Sequence, residues 1–408
     1  MKSKAFFLFF FLFFIVLFSC KSNEEEMVIP EPEIQGILQV SPDGIFMRNN
    51  KPFYGMGINY FNAFYRTIQN SSDKSYKEGL KYLGNNKVPF IRFSTNGFWA
   101  NELKLYQTNK ARYFELLDEF VKTAEENNVG LIPSLFWYYI SVPDLVGEHA
   151  NQWANPESKT IAFMRTYTAD MVKRYKNSPA IWAWEFGNEM NSYVDFLGQA
   201  ATDWLPKVSI SMGTPAQRTK DDIITTEILC SALHEFAAEV RKYDPDRAIF
   251  SGNGMPHQSA YHLHVYKNWT QDSTAEFTKI LGEHNPSYIG TVTIHPYPSF
   301  ESKYFMGINA NLSRIIQEAV RSSKELKQPL FVGEFGSPKT LGAEKEAEKF
   351  YDLVNAIIDH KVQLSALWVF DFSPQDADWN VTPLNSREYQ LHEVIKVNAR
   401  FREEYGLK

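Results

Sequence analysis

Only two cysteines occur in 408 residues, Cys20 and Cys230, and a framework of several disulfides is therefore excluded. Basic residues are not in excess. Lys and Arg number 42 against 48 Asp and Glu, a net charge of −6, which suits a polyanion such as nucleic acid poorly. The chain has no GxGxxG, no phosphate-binding loop and no HExxH, so dinucleotide, nucleotide and zincin chemistry have no support. No cofactor and no metal is expected. His257, His262 and His264 come nearest to a metal set. His-x-His at 262 and 264 would share one face of a strand, but no third ligand follows at a typical spacing, and the reading is ordinary loop histidines. Asp371, Asp376 and Asp378 do not match a calcium loop and read as a polar loop with Asx turns. What is abundant is apolar and aromatic: 44% hydrophobic residues and 15% Phe, Trp and Tyr, ample for a large core.

The N-terminus opens with Lys2 and Lys4 and continues in an apolar run, Ala5 to Phe18. The run falls short of the about 20 residues that cross a bilayer and reads as an export signal. It ends Leu17-Phe18-Ser19-Cys20. A Leu three before a Cys, with a small residue between, resembles the bacterial lipobox, in which the Cys becomes the lipid-bearing N-terminus. The plainer alternative is a signal peptide or anchor with an incidental Cys. On the lipobox reading residues 1–19 are the signal peptide and 20–34 a solvated linker holding Glu24, Glu25, Glu26, Pro30 and Pro32. Loss of Lys2 and Lys4 takes the net charge from −6 to −8. The expected location is the bacterial cell envelope, lipid-anchored through Cys20. Acidic residues straight after that Cys also resemble a lipoprotein surface-export signal, which would place the chain on the outer-membrane surface.

From residue 35 to 408 the chain reads as one domain. Ile37–Val40 and Ile45–Met47 flank Ser41-Pro42-Asp43-Gly44, and Asp-Gly predicts a β-hairpin. Eight short apolar runs follow as candidate strands: 53–58, 88–93, 130–135, 181–186, 248–251, 288–294, 329–333 and 365–370. Helical patterns lie between them. Ile161, Met164, Tyr167, Met171, Val172 and Tyr175 recur at helical spacing, as do Ala347, Phe350, Tyr351, Val354 and Ile358, and a last helix fits 386–404. Eight strand–helix units in order predict an α/β fold, a (β/α)8 TIM barrel preceded by the hairpin. Two long connections, 187–221 and 252–278, follow strands and belong on the face where barrels build their sites.

Two strands end on carboxylates. The fourth runs Ile181-Trp182-Ala183-Trp184-Glu185-Phe186-Gly187-Asn188-Glu189, and the seventh Pro329-Leu330-Phe331-Val332-Gly333-Glu334. Charges this close to a core are costly unless each has partners. Two glutamates on strand ends can face each other across one barrel mouth, the arrangement that cleavage of a glycosidic bond requires: one acid to protonate the leaving oxygen, one carboxylate to attack the anomeric carbon. Glu185, two residues inside its strand, is expected to pair with a neighbouring Arg or His.

Asn188-Glu189 after strand four and Glu334 after strand seven resemble the clan A glycoside hydrolases, family 5 in particular. The likeness extends over the whole chain after the linker. It implies Glu189 as acid/base, Glu334 as nucleophile, and Asn188 on the sugar 2-hydroxyl. Arg92 in Phe90-Ile91-Arg92-Phe93 is similar to the family arginine that holds the nucleophile in its charged form. His295-Pro296-Tyr297 is similar to the His-x-Tyr pair, the Tyr orienting the nucleophile and the His bonding sugar or Glu189. Trp368 in Leu367-Trp368-Val369-Phe370 is similar to the aromatic platform beneath the sugar. Trp137 and Trp99, which follow strand ends, are the preferred further platforms among Phe98, Trp99, Trp137, Tyr138 and Tyr139, with plain packing as the alternative for each. The chain departs from the family pattern at Met190, where a Pro is common, and in Leu135-Phe136-Trp137-Tyr138-Tyr139, which has no His after strand three. The stretch Tyr175-Lys176-Asn177-Ser178-Pro179-Ala180-Ile181-Trp182-Ala183-Trp184-Glu185 resembles mannanase-like branches. The resemblance thus implies a monomeric, retaining β-glycoside hydrolase acting on an oligo- or polysaccharide, β-1,4-mannan first. The alternatives are a cellulase-like β-1,4-glucanase, a transglycosidase using the same residues, and a non-catalytic surface glycan-binding lipoprotein.

Overall fold

The structure, a computed structural model, describes residues 36–207 and 217–406. The signal segment 1–19, Cys20 and the whole 20–34 linker read from the sequence lie outside the described residues. No helix among the described residues is long and apolar enough to cross a membrane.

Eight parallel strands form one sheet, as the eight apolar runs predict: β1 Gly55–Asn59, β2 Phe90–Ser94, β3 Gly130–Phe136, β4 Ala183–Gly187, β5 Ala248–Phe250, β6 Val292–Ile294, β7 Leu330–Phe335 and β8 Leu364–Leu367. Neighbours pair in the order β5-β4-β3-β2-β1-β8-β7-β6, so β8 closes onto β1, with Leu364–Leu367 in register with Gly55–Ile58. Between β5 and β6 side chains bridge instead of a ladder. The Thr291 hydroxyl donates to the Ile249 carbonyl at 2.6 Å. The Asn285 carboxamide oxygen accepts from the Ser251 hydroxyl at 2.6 Å and the Thr293 N–H at 3.1 Å. β6 is shorter than its apolar run because 287–289 is a turn, closed by Ile289 N–H to the Pro286 carbonyl.

Each strand is followed by a ring helix: α1 Tyr76–Asn85, α2 Lys110–Glu126, α3 Lys159–Tyr175, α4 Thr226–Arg241, α5 Thr274–His284, α6 Leu312–Leu326, α7 Ala343–Asp359 and α8 Glu388–Tyr405. Five of them start on a side-chain cap. Ser158 accepts from the Ile161 N–H, Asn311 from Arg314, and Ser273 forms a capping box with Glu276. The helices turn one apolar stripe inward: Ile161, Met164, Met171 and Val172 of α3, and Phe350, Leu353, Val354 and Ile357 of α7, are buried against the sheet.

The hairpin forms as Leu38–Val40 with Phe46–Arg48, and a third short strand, Lys51–Pro52, adds to it. This sheet covers the N-terminal ends of the barrel strands. Leu38, Phe46 and Phe53 join Phe90, Ile132, Trp182, Phe250 and Phe331 in one apolar cluster, and the Leu38 N–H donates to the Trp182 carbonyl at 3.0 Å. One end of the barrel is thereby sealed with hydrocarbon, which leaves the other for chemistry.

Candidate active site

Arg92 lies on β2, one inward position above Phe90, and is wholly buried. A guanidinium survives there only if its donors are taken and its charge is matched. Both conditions hold. Its Nε meets both Glu185 oxygens, at 2.7 and 2.9 Å. Nη1 reaches Asn59 Oδ1 at 3.0 Å and Glu334 Oε1 at 2.8 Å, and Nη2 reaches Asn188 Oδ1 at 2.9 Å. The Trp137 ring lies 4.6 Å from its carbon, a cation–π contact. Burial works against the charge, and the Glu185 and Glu334 carboxylates outweigh it, so the Arg92 pKa is raised. Burial likewise raises the Glu185 carboxyl, with Arg92 pulling the other way. The expected partner of Glu185 is therefore an arginine on the facing strand.

Glu334 reaches the mouth through an irregularity in β7. Phe331 points into the barrel, so strict alternation would turn Glu334 outward. The β7–β8 register slips between Val332 and Phe335, and such a bulge re-aims a side chain. Gly333 sits at this slip because a Cβ there would lie 2.7 Å from His295 Nε2. Both Glu334 oxygens accept hydrogen bonds, Oε1 from Arg92 and Oε2 from the Tyr297 hydroxyl at 2.7 Å. Burial first, then the charges of Glu334 and Glu189, raise Tyr297 well above its ordinary value, so it stays a donor.

Glu189 follows β4 and has a left-handed backbone, φ 51°, which costs about 1–3 kcal/mol for a residue with a side chain. That turn brings its carboxyl to His295, Oε1 to Nδ1 at 2.9 Å. The Glu189 side chain is 34% exposed through the mouth, while protein packed around it raises its pKa by desolvation. His295 is wholly buried and lowered to about 3, mainly by burial, so it is neutral and adds no cation beside Glu189. Gly254, after β5, closes the other side: a Cβ there would stand 2.8 Å from Glu189 Oε1. The Asn191 carboxamide locks it in place, donating to the Gly254 carbonyl and accepting its N–H at 3.0 and 2.9 Å.

One ligand-type atom from each of Glu189, His295 and Glu334 lies within 4.8 Å of the others. The same holds for Asp195, Glu227 and His264, and for His262, Asp272 and Glu276. In the first set both oxygens of Glu334 and one of Glu189 already have protein partners.

Arg92, Asn188, Glu189, His295, Tyr297 and Glu334 thus converge on one mouth. Trp368 is beside it, half-buried, its indole N–H held by Gln375 Oε1 at 2.9 Å. Trp137 corrects the platform expectation. It is only 2% exposed, with one neighbour in Arg92 and others in Phe61 and Trp368, so it supports the arginine and has no open face for a sugar. Trp99 is 37% exposed and packs edge-on against Phe98 and Tyr138, leaving ring surface open. The sequence reading missed Asn59, whose Nδ2 ties the Gly333 carbonyl at 2.8 Å; its signal was a polar residue ending an apolar strand. It missed Trp379, whose ring stands 5.0 Å from that of Tyr297, and Gly254, which no motif marks. His262 and His264 are on a helical turn, 262–266, not a strand. They diverge, His262 to Asp272 at 2.9 Å and His264 to Asp195 at 3.1 Å. Asp371 is an ion-pair partner, 2.7 Å from Arg66.

The chain matches the family Cellulase (glycosyl hydrolase family 5) over residues 46–370. No curated protein matches it in sequence. Among solved structures it is similar to the endo-1,4-β-mannanase of Rhizomucor miehei, at 15% identity and TM-score 0.63, over 89% of this chain and 99% of that one. It is similar to the endo-β-1,4-mannanase of Thermotoga petrophila, at 14% and 0.59, over 86% and 77%. The endoglucanase of Pseudomonas stutzeri follows at 16% and 0.51, over 88% and 97%. Likeness at such identities speaks for the fold alone. The family match spans most of the barrel, including all the residues gathered at its mouth, and the chain belongs to glycosyl hydrolase family 5: it is a glycosidase.

Proposed function

We propose that this glycosidase cleaves β-1,4-linked polysaccharide, mannan first, with retention of configuration. The observation that carries the mechanism is the approach of Glu189 and Glu334, which present carboxyl oxygens within 4.8 Å of each other. That spacing suits direct attack by one carboxylate and leaves too little room for the water an inverting pair needs.

Glu334, oriented through both oxygens, attacks the anomeric carbon. The bond to the leaving oxygen breaks, and Glu189 gives that oxygen its proton. A water then enters, Glu189 takes its proton, and the hydroxide displaces Glu334 from the sugar. The donor must hold a proton at the start and accept one later, which a raised carboxyl next to a neutral imidazole allows. Asn188, fixed by Arg92, stands where a sugar 2-hydroxyl passes, and Trp368 offers its ring beneath. The mannan preference rests on the strand-four context 175–185 and on the missing His after strand three.

The test is reducing-end release from β-1,4-mannan, β-1,4-glucan and β-1,4-xylan, with the first-formed anomer read by NMR. Mannan is expected to be cut fastest and to yield the β-anomer first. Faster release from glucan moves the substrate to β-glucan. No release from any polymer, or the α-anomer first, overturns the mechanism. From the sequence we also propose a lipid anchor on Cys20 in a bacterial cell envelope, checked by metabolic labelling with a fatty-acid analogue that Cys20→Ser abolishes.

A further inference from the structure

Beyond the catalytic mouth, the two long connections after β4 and β5 meet at a second cluster of polar groups. Asp195, six residues past Glu189, carries a left-handed backbone, φ 59°, and its side chain is only 3% exposed. One oxygen, Oδ2, accepts from the Thr226 hydroxyl at 2.6 Å and the Thr226 N–H at 3.3 Å, and His264 Nδ1 lies 3.1 Å from it. The other, Oδ1, is buried and has no hydrogen-bond partner among the described residues. Lys267 Nζ comes no nearer than 3.9 Å, too far for a hydrogen bond, and its side chain is 59% exposed. A buried carboxylate oxygen left bare is costly.

His264 stands against the other oxygen of the same carboxylate. Its Nε2 lies 3.2 Å from Glu283 Oε2. A carboxylate on one ring nitrogen fixes the tautomer and turns the lone pair of the other outward, the arrangement that orients metal-binding histidines. That other nitrogen, Nδ1, faces Asp195 and has Glu227 Oε1 at 3.9 Å. Asp195, Glu227 and His264 offer three ligand atoms within 4.8 Å of one another.

We propose that Asp195, Glu227 and His264 bind one first-row divalent cation, with Glu283 orienting the histidine and water completing the shell. One imidazole and two carboxylates suit Zn2+ or Mn2+ better than Ca2+, which prefers an all-oxygen set, and Zn2+ binds the tighter of the two. The ion would join the β4 connection to the β5 connection and to the first turn of α4. It would thus brace the pair of loops that Asn191 and Gly254 lock beside Glu189. The competing arrangement is the same cluster of His264 and carboxylates with no ion.

The experiment titrates chelator-stripped protein with ZnCl2, MnCl2 and CaCl2, by calorimetry and by thermal unfolding. The background is the double variant Glu334→Gln, His262→Gln, which weakens the other two potential ligand sets. One Zn2+ per chain is expected, with a raised Tm. Asp195→Asn and His264→Gln should each weaken zinc at least about tenfold, and Glu283→Gln about 10–100-fold. Circular dichroism checks that each variant folds, and Glu227→Gln, on an exposed side chain, decides the matter if Asp195→Asn does not. No saturable zinc site, or unchanged affinity in the folded His264 and Glu227 variants, overturns the proposal.

Discussion

At the N-terminal ends of the barrel strands, Phe250 and Phe331 stand 4.7 Å apart and Phe90 meets Phe331 edge to face, with Phe46 closing the layer from below. One inward position along, about 7 Å higher, β2 carries Arg92 and β4 carries Glu185, both wholly buried. The lower layer excludes water and holds the barrel together. The upper layer spends part of that stability to keep charges dry and fixed, with every donor of the guanidinium placed. Because both layers share the same strands, each strand passes from packing to chemistry within two or three residues. Substitutions at the two ends should therefore separate catalysis from stability.

The largest effect is expected for Glu334→Ala: kcat down on the order of 10⁴-fold or more, with the unfolding midpoint little changed, since Arg92 keeps Glu185, Asn59 and Asn188. Steady-state rates and thermal melts on one preparation check both. Next comes Glu189→Ala, expected to lose about 10²–10⁴-fold on polysaccharide and much less on an aryl glycoside whose leaving group needs no proton. Equal losses on both substrates would show that Glu189 is not the donor.

Arg92→Met breaks the separation by design. It leaves Glu185 buried beside no cation, worth about 3–5 kcal/mol of stability, and unties Glu334 and Asn188 together. Denaturant melts and kcat should fall in concert. A variant that loses activity at unchanged stability would mean that Glu185 finds another partner. Phe331→Ala, at the opposite end, should cost about 3–5 kcal/mol and leave kcat per folded molecule intact. Its melt can equal that of the arginine variant while its kinetics do not.

The sequence marks this division unevenly. The eight strands are legible because parallel strands buried on both faces read as short continuous apolar runs. The third N-terminal strand is not: Lys51–Pro52 has too few residues for any alternation. The need of Glu185 for a partner follows from burial alone, but its identity does not: the sequence leaves an Arg or a His open, and only the fold shows that Arg92 serves both Glu185 and Glu334. Trp137 defeats the sequence because an aromatic residue after a strand end looks the same whether it faces the cleft or props an arginine. Asn59 and Gly254 carry no motif, since one acts by bridging strands and the other by lacking a side chain. The His264 cluster escapes because its partners Asp195 and Glu227 come from other elements, so no spacing along the chain announces them.

The smallest effect tests how the mouth sets the donor. Glu189 must be protonated to act, so activity is present below its pKa and lost as pH rises through it. Burial raises that pKa, and the alkaline limb of kcat/KM should stand above the about 4.3 of a free glutamate. The sign for stability is the same. The folded chain holds this proton more tightly than the unfolded one, so the contribution is complete below about 4.3 and fades as pH climbs through the raised value. Tyr193, in the turn that follows Glu189, is half-buried, and its own hydroxyl is raised by burial and by the Glu189 charge. Tyr193→Ala should admit water to that wall and move the alkaline limb to lower pH, by less than about one unit, or 1.4 kcal/mol. Phe331→Ala should leave the limb where it is. A limb that shifts in the lower-layer variant and not in the Tyr193 variant would mean that the donor is governed by the barrel as a whole and not by its mouth.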